Sequence, residues 1–308
     1  MVDLTPLVPI PAGRFLMGSA EFSADETPVH VREVAAFEIE QHPVTNEQFA
    51  AFVADTGYVT VAERALDPAD FPGVDPADLV PGGLVFTPTA GPVDLRDWSQ
   101  WWRWAAGATW REPGWPGPTA DERPRHPVVM VAYEDAATYA AWAGRRLPTE
   151  AEFEYAARGG LDGARFAWGD EEFPGGRLMV NRWQGRFPSE NTGAAGWIGP
   201  SPVGTFPPNG YGLVDMTGNV WEWTTDVYTP RHVVPGLADA AVDAGGRRDL
   251  LGGAAGEASG PADRERRRVL KGGSHLCSPD YCLRYRPAAR SPQSDDTATT
   301  HIGFRCAR

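Results

Sequence analysis

Apolar residues recur along this chain in short bursts broken by Gly and Pro, not in long periodic runs. LVPIPAGRFLMGS sets two apolar runs about Pro11-Ala12-Gly13, which predicts a hairpin. In VHVREVAAFEIEQHPVT the alternation of Val29 and Val31, resumed after a shift at Phe37 and Ile39, predicts half-buried strands. Thr45-x-x-Gln48 reads as a capping box, and Phe49, Phe52 and Val53 share one face of the helix it opens, which Gly57 closes. HPVVMVAYEDAATYAAWAG predicts a short strand leading into a helix that ends at Gly144. Pro148-Thr149-Glu150-Ala151-Glu152 gives a second capping box, from which Phe153, Tyr155 and Ala156 carry a helix to Gly159-Gly160.

Two stretches lack either period. Residues 64–125 are rich in Pro and Gly and include WSQWWRWAAGATW, with tryptophans at 98, 101, 102, 104 and 110. Residues 232–264 are rich in Ala, Gly and Asp and read as a long surface loop. No fixed-period repeat and no clean linker divides the chain. The expectation is one domain over 1–308, α+β, with a few short helices, many short strands and more than the usual share of loop.

Composition narrows the function classes. A net charge of −13 argues against nucleic acid, whose binding rests on cationic side chains, and against anionic membrane surfaces. The start MVDLTPLVPIPAG has neither a basic n-region nor an apolar h-region, and no stretch reaches the roughly 18 apolar residues of a span. Three cysteines are too few for a disulfide scaffold, and their odd number leaves one unpaired. Together these point to a cytoplasmic, monomeric protein.

Candidate chemistry then concentrates in two places. In NGYGLVDMTGNVWEWTTD, Gly210, Gly212 and Gly218 bring backbone close to Asp215, Asn219 and Glu222. Such an oxygen-rich turn suits Ca²⁺, which takes about six to eight oxygens, or equally a turn that satisfies its own amides. The spacing is not that of an EF-hand, and nucleotide-binding glycine motifs and the G-x-S-x-G nucleophile turn are absent. The histidines, at 30, 42, 126, 232, 275 and 301, form no H-x3-H pair.

The second place is KGGSHLCSPDYC, residues 271–282, which holds Cys277 and Cys282. With Cys306 and His275 they could supply four zinc ligands, but zinc knuckles favour C-x2-C. Pro279-Asp280 between them does not make the helix N-terminus of a redox C-x-x-C. A two-thiolate site for a soft ion such as Cu(I) needs fewer assumptions, and Arg284, Arg286 and Arg290 would favour thiolates. On chemistry alone an inert buried pair stays open.

GRFLMGS, ETPVH, EIEQHPVTNEQFAAFV, RRLPTEAEFEYAARGG, GNVWEW and above all GGSHLCSPDYCLRYRPAARS with HIGFRC together resemble the formylglycine-generating enzyme family, from about residue 8 to the last. The resemblance implies that fold, of the C-type-lectin-like superfamily, and oxidation by O2 of the cysteine of a C-x-P-x-R motif in an unfolded sulfatase polypeptide to Cα-formylglycine. It implies Cu(I) held by cysteines matching Cys277 and Cys282, with Ser274 at an oxygen pocket and Trp221 beside the metal. Tyr281, Arg290, Ser291, His301 and the 101–110 stretch, Trp102 included, would line a peptide groove. It also implies structural Ca²⁺ at Asp215, Gly218, Val220 and Glu222. A second Ca²⁺ would lie at Asn181, Arg182 and Trp197, where the family's acidic ligand falls on Ala195. Pro287 replaces a half-cystine of secretory relatives, so Cys306 is expected to be a buried free thiol.

Two other readings remain. An iron-dependent sulfoxide synthase would share the superfamily fold but carries an additional N-terminal helical domain with an iron-binding His motif, for which residues 1–45 are too short and lack an H-x3-H. A non-catalytic binding module would have no use for the cysteine pair.

Overall fold

Three helices form where the sequence places them. In the computed structural model, which describes residues 3–70, 72–114, 119–234 and 266–308, α1 spans Asn46–Thr56. Gln48 Oε1 accepts the Thr45 amide at 3.0 Å, and Gly57, with φ 68°, turns the chain away. In α2 (Tyr133–Trp142), Asp135 Oδ2 accepts the Ala132 amide at 2.8 Å. In α3 (Glu150–Arg158) the capping box is reciprocal: Thr149 Oγ1 accepts from Glu152 N at 3.1 Å and Glu152 Oε2 from Thr149 N at 2.8 Å. α1 lies against α2, with Phe49 stacked on Tyr139 and Phe52 against Trp142.

The N-terminal strands depart from the sequence reading. β1 (Leu7–Ile10) pairs with β4 (Phe37–Glu40), while β2 (Gly13–Met17) pairs with β3 (His30–Val34). Pro11-Ala12-Gly13 is therefore a corner between two ladders and not a hairpin turn. The corner lies close to α3, where a Cβ on Gly13 would meet the Tyr155 hydroxyl at 2.2 Å. It lets Phe15 and Met17 pack with Phe153 and Tyr155 while Ile10 opposes Phe37. The period of β3 is right but its face is reversed: Val29 and Val31 are 42% and 51% exposed, while Val34, Phe37 and Ile39 are buried.

Two further expectations change. Inside 64–125 a two-stranded ladder joins β5 (Gly82–Phe86) to β6 (Trp102–Ala106). Residues 127–132 are buried but form no strand, because Met130 takes φ 59° and the segment's amides bond singly, Val128 to Val44 O and Met130 to Thr299 O. The loop read at 232–264 lies outside the described residues from 235 onward.

The central sheet has the order β10-β7-β8-β9, from β7 (Trp221–Val227), β8 (Arg267–Lys271), β9 (Arg290–Ser294) and β10 (Ile302–Gly303). β10 runs parallel to β7, and the other pairs are antiparallel. Residues 272–289, including both cysteines of interest, connect two neighbouring strands of this sheet.

Candidate active site

The segment leaving β8 turns through Gly272 and Gly273, with φ 91° and 74°. A Cβ on Gly273 would lie 2.3 Å from the Arg284 carbonyl oxygen, so the turn packs directly against the return of its own loop. Ser274 is fully buried; its Oγ accepts the Leu276 amide at 3.2 Å and keeps its proton to donate, while its amide points at Cys277 Sγ at 3.4 Å. The amides of Cys282 and Leu283 both converge on Ser278 O at 2.9 Å. This curl sets the Cys277 thiol in hydrogen-bonding contact with Cys282, and both are free.

The two thiols are not equivalent. Burial pushes Cys277 well up, whereas the hydrogen bond from Cys277, helped by Arg284, lowers Cys282 to about 7 against its own desolvation. Of the three arginines expected to favour thiolates, only Arg284 does so. Arg286 is spent on Glu26, at 2.9 and 2.5 Å, and Arg290 on Glu150, at 2.9 Å. Among the described residues Arg284 makes its bonds to Arg290 O and Ser291 Oγ and to no carboxylate oxygen.

Arg290 is also corrected as a groove residue: it is 2% exposed, with its remaining donor on Asp25 O and Thr229 O. Tyr281, Ser291, His301 and Trp102 are all partly exposed and can face a ligand. Tyr281 stacks on Phe187 at 4.6 Å and meets the edge of Trp101 at 5.8 Å. Its phenol is pushed up to about 12 by burial and by Cys282. His301 lies 4.7 Å from Trp102, with Nδ1 bonded to the Thr299 hydroxyl at 2.7 Å, and its backbone carbonyl accepts the Trp221 amide at 2.8 Å. Trp221 is buried in the same apolar cluster as Cys277. Phe187 and Trp183, which back the Tyr281 wall, were not foreseen; the apolar pair in NRWQGRFPS was their only signal.

The oxygen-rich turn is committed more than its sequence suggests. Both Glu222 oxygens receive Arg305 at 2.8 Å, and Asp215 Oδ2 accepts the Gly204 amide at 2.8 Å. Burial raises Asp215 to about 6 and raises Glu222 as well, so added positive charge here would be stabilising. Among the described residues no backbone amide outside the helices and strands donates to the Gly218 or Val220 carbonyl. At the second candidate turn, Asn181 Oδ1 is buried without a hydrogen-bond partner among the described residues, while the Arg182 guanidinium is paired with Glu172 at 2.9 Å. Ala194 and Trp197 exchange backbone hydrogen bonds around Ala195, which offers no side-chain ligand. Among the described residues no three His, Cys, Asp or Glu side chains gather to hold a metal, so Cys306 does not join the pair as a zinc ligand. Cys306 is instead a buried free thiol whose amide bonds Glu40 Oε2 at 2.6 Å.

The mixed sheet, the sparse helices and this thiol loop define one class, and the chain belongs to it: the sulfatase-modifying factor enzyme 1-like domain family, whose model matches residues 2–308. The chain is 60% identical to the formylglycine-generating enzyme of Mycobacterium tuberculosis, covering 98% of this chain and 97% of that protein. It is 46% identical to the enzyme of the same name from Streptomyces coelicolor, over 97% and 88% of the two chains. Among solved structures, PvdO from Pseudomonas aeruginosa matches with a TM-score of 0.62 at 25% identity, over 98% of this chain and 93% of that one. The fold is thus the single-domain α+β, C-type-lectin-like fold that the sequence implied. Among the described residues no helix is long and apolar enough to cross a membrane.

Proposed function

We propose that this protein is a formylglycine-generating enzyme: it oxidises the cysteine of a C-x-P-x-R segment in an unfolded sulfatase polypeptide to Cα-formylglycine, with O2 as oxidant and Cu(I) as cofactor. The observation that carries the reading is the contact between Cys277 and Cys282, one of them lowered to about 7, at the edge of an aromatic wall. Two adjacent thiols beside the half-buried Arg284 guanidinium are a donor set suited to a soft ion of low coordination number, so Cys277 and Cys282 would hold the copper. Bound there, Cu(I) would supply the one-electron chemistry through which O2 can oxidise a thiol-bearing carbon.

The chain's own groups do the rest. Arg284 balances negative charge on the sulfurs, and the Ser274 hydroxyl keeps a proton to donate towards oxygen. Trp221 packs with Cys277 in a dry cluster and keeps bulk water from that side. Tyr281, Trp102, His301 and Ser291 would receive the extended peptide, their aromatic faces giving area and their polar atoms fixing register. Structural Ca²⁺ is proposed at Asp215, Gly218, Val220 and Glu222, sharing Glu222 with Arg305, and secondarily at Asn181, Arg182 and Trp197. Three free thiols fit a reducing cytoplasm, and a monomer suffices for the site.

The test is direct. Protein loaded with Cu(I) is incubated in air with a C-x-P-x-R peptide, and mass spectrometry follows replacement of CH2–SH by CHO. A peptide with Ala in place of the motif Arg should turn over poorly. A copper-loaded protein that leaves the first peptide unchanged would overturn the reading.

A further inference from the structure

Glu26 belongs to ETPVH, far from the thiol loop in sequence, and the mechanism above leaves it without a role. Its carboxylate is 1% exposed and grips Arg286, itself 1% exposed, through two hydrogen bonds of 2.9 and 2.5 Å. Phe22 covers the same guanidinium, its ring centre 3.7 Å from Cζ. The third donor of Arg286, Nε–H, reaches the carbonyl of Leu283 at 2.7 Å. Leu283 directly follows Cys282 and holds φ at 42°, in the left-handed region that a branched side chain avoids. A residue kept in such a conformation needs surroundings that over-determine it. Here those are Ser278 O on the Leu283 amide and Arg286 on the Leu283 carbonyl.

We propose that Glu26 and Arg286 are positioning residues for Cys282: they hold the Leu283 carbonyl, and so keep the strained backbone that aims the Cys282 sulfur at Cys277. Without that hold Leu283 relaxes to negative φ, and the loop no longer presents its two sulfurs together. The competing explanation is that the ion pair merely ties the 18–28 segment to the body of the protein.

The proposal rests on the reading of Cys282 as a reacting thiol, so its test includes a measurement independent of turnover. Arg286→Lys keeps a buried charge but cannot serve Glu26 and Leu283 O together. The alkylation rate of Cys282, mapped by mass spectrometry in metal-free protein, is compared with Cu(I) affinity in competition with a chromogenic chelator. Arg286→Lys should change the alkylation rate and weaken Cu(I) binding about tenfold, the size of effect a left-handed residue can store. Adding Leu283→Gly removes the strain, because Gly adopts positive φ freely. The double variant should therefore regain most of both quantities while its Tm stays as low as that of Arg286→Lys. A brace for the 18–28 segment predicts no such rescue, and a double variant no better than Arg286→Lys overturns the proposal, as does unchanged Cys282 reactivity. Glu26→Gln, alone and with Leu283→Gly, is measured in the same way, so the outcome stands even if Arg286→Lys fails to fold. Wild-type protein that binds no Cu(I) sinks the functional reading alone, since the alkylation comparison still reports on the clamp.

Discussion

Two thiols in contact, one buried and one half-buried, cannot both ionise easily, so once the first proton leaves, the sulfurs share the second and hold it tightly. That asymmetry separates Cys277 and Cys282 from Cys306, which burial and the neighbouring Glu40 keep well up as a thiol. Cys277→Ser or Cys282→Ser should abolish turnover of the peptide and the tight binding of Cu(I), whereas Cys306→Ser should keep both within about twofold, since it exchanges one small buried group for another. Comparable losses in all three would point to a structural role for the cysteines. The cysteine pair could be picked out from composition and spacing alone. The arginines around it could not be sorted that way, because the carboxylates that occupy Arg286 and Arg290 lie 260 and 140 residues distant in sequence. Ion pairing at that separation leaves no local pattern.

Helices were readable because their determinants are local: a cap, an apolar face and a glycine stop. Strand partners were not, because pairing depends on what each face must pack against. β1 and β2 look like the arms of one hairpin and instead serve β4 and β3. In β5 and β6 the register Phe86↔Trp102 shows how aromatic side chains, read only as part of an irregular stretch, build a ladder beside the site. The turn from Asp215 to Glu222 makes its own prediction. A cation there would offset the desolvation that raises both carboxylates, so added Ca²⁺ should raise Tm by several degrees and EGTA should reverse it, as expected for a ligand that binds only the native state. Asp215→Ala should remove most of the Ca²⁺ response, and Asn181→Ala only a lesser part. A Tm indifferent to Ca²⁺ in the wild type would count against both sites.

Across the molecule, burial keeps His126 near 4, His232 near 3 and His275 near 4, all lowered chiefly by desolvation. In the unfolded chain each takes up a proton near its ordinary 6.5, so acid favours unfolding. Their contribution to stability should be flat above neutrality and fall below pH 6.5, each histidine adding at most about 1.4 kcal/mol per pH unit down to its folded value, opposed near pH 6 by the raised carboxyl of Asp215, which takes up its proton first in the folded state. His42 and His301 are lowered by burial as well, which makes five such histidines, and His126 has no hydrogen-bond partner on either ring nitrogen among the described residues, so His126→Gln should flatten that slope by about one-fifth in urea titrations. A slope that begins only below pH 4.5 would assign the effect to carboxylates such as Glu154, which Lys271 and Arg158 hold at about 2 against its burial. The strands on either side of residues 272–289 are locked, β8 between β7 and β9, and β9 by the Arg290–Glu150 pair. The thiol loop is thus an insert in a rigid frame, and an engineer could exchange its sulfur-bearing tip for another chemical group without redesigning the scaffold.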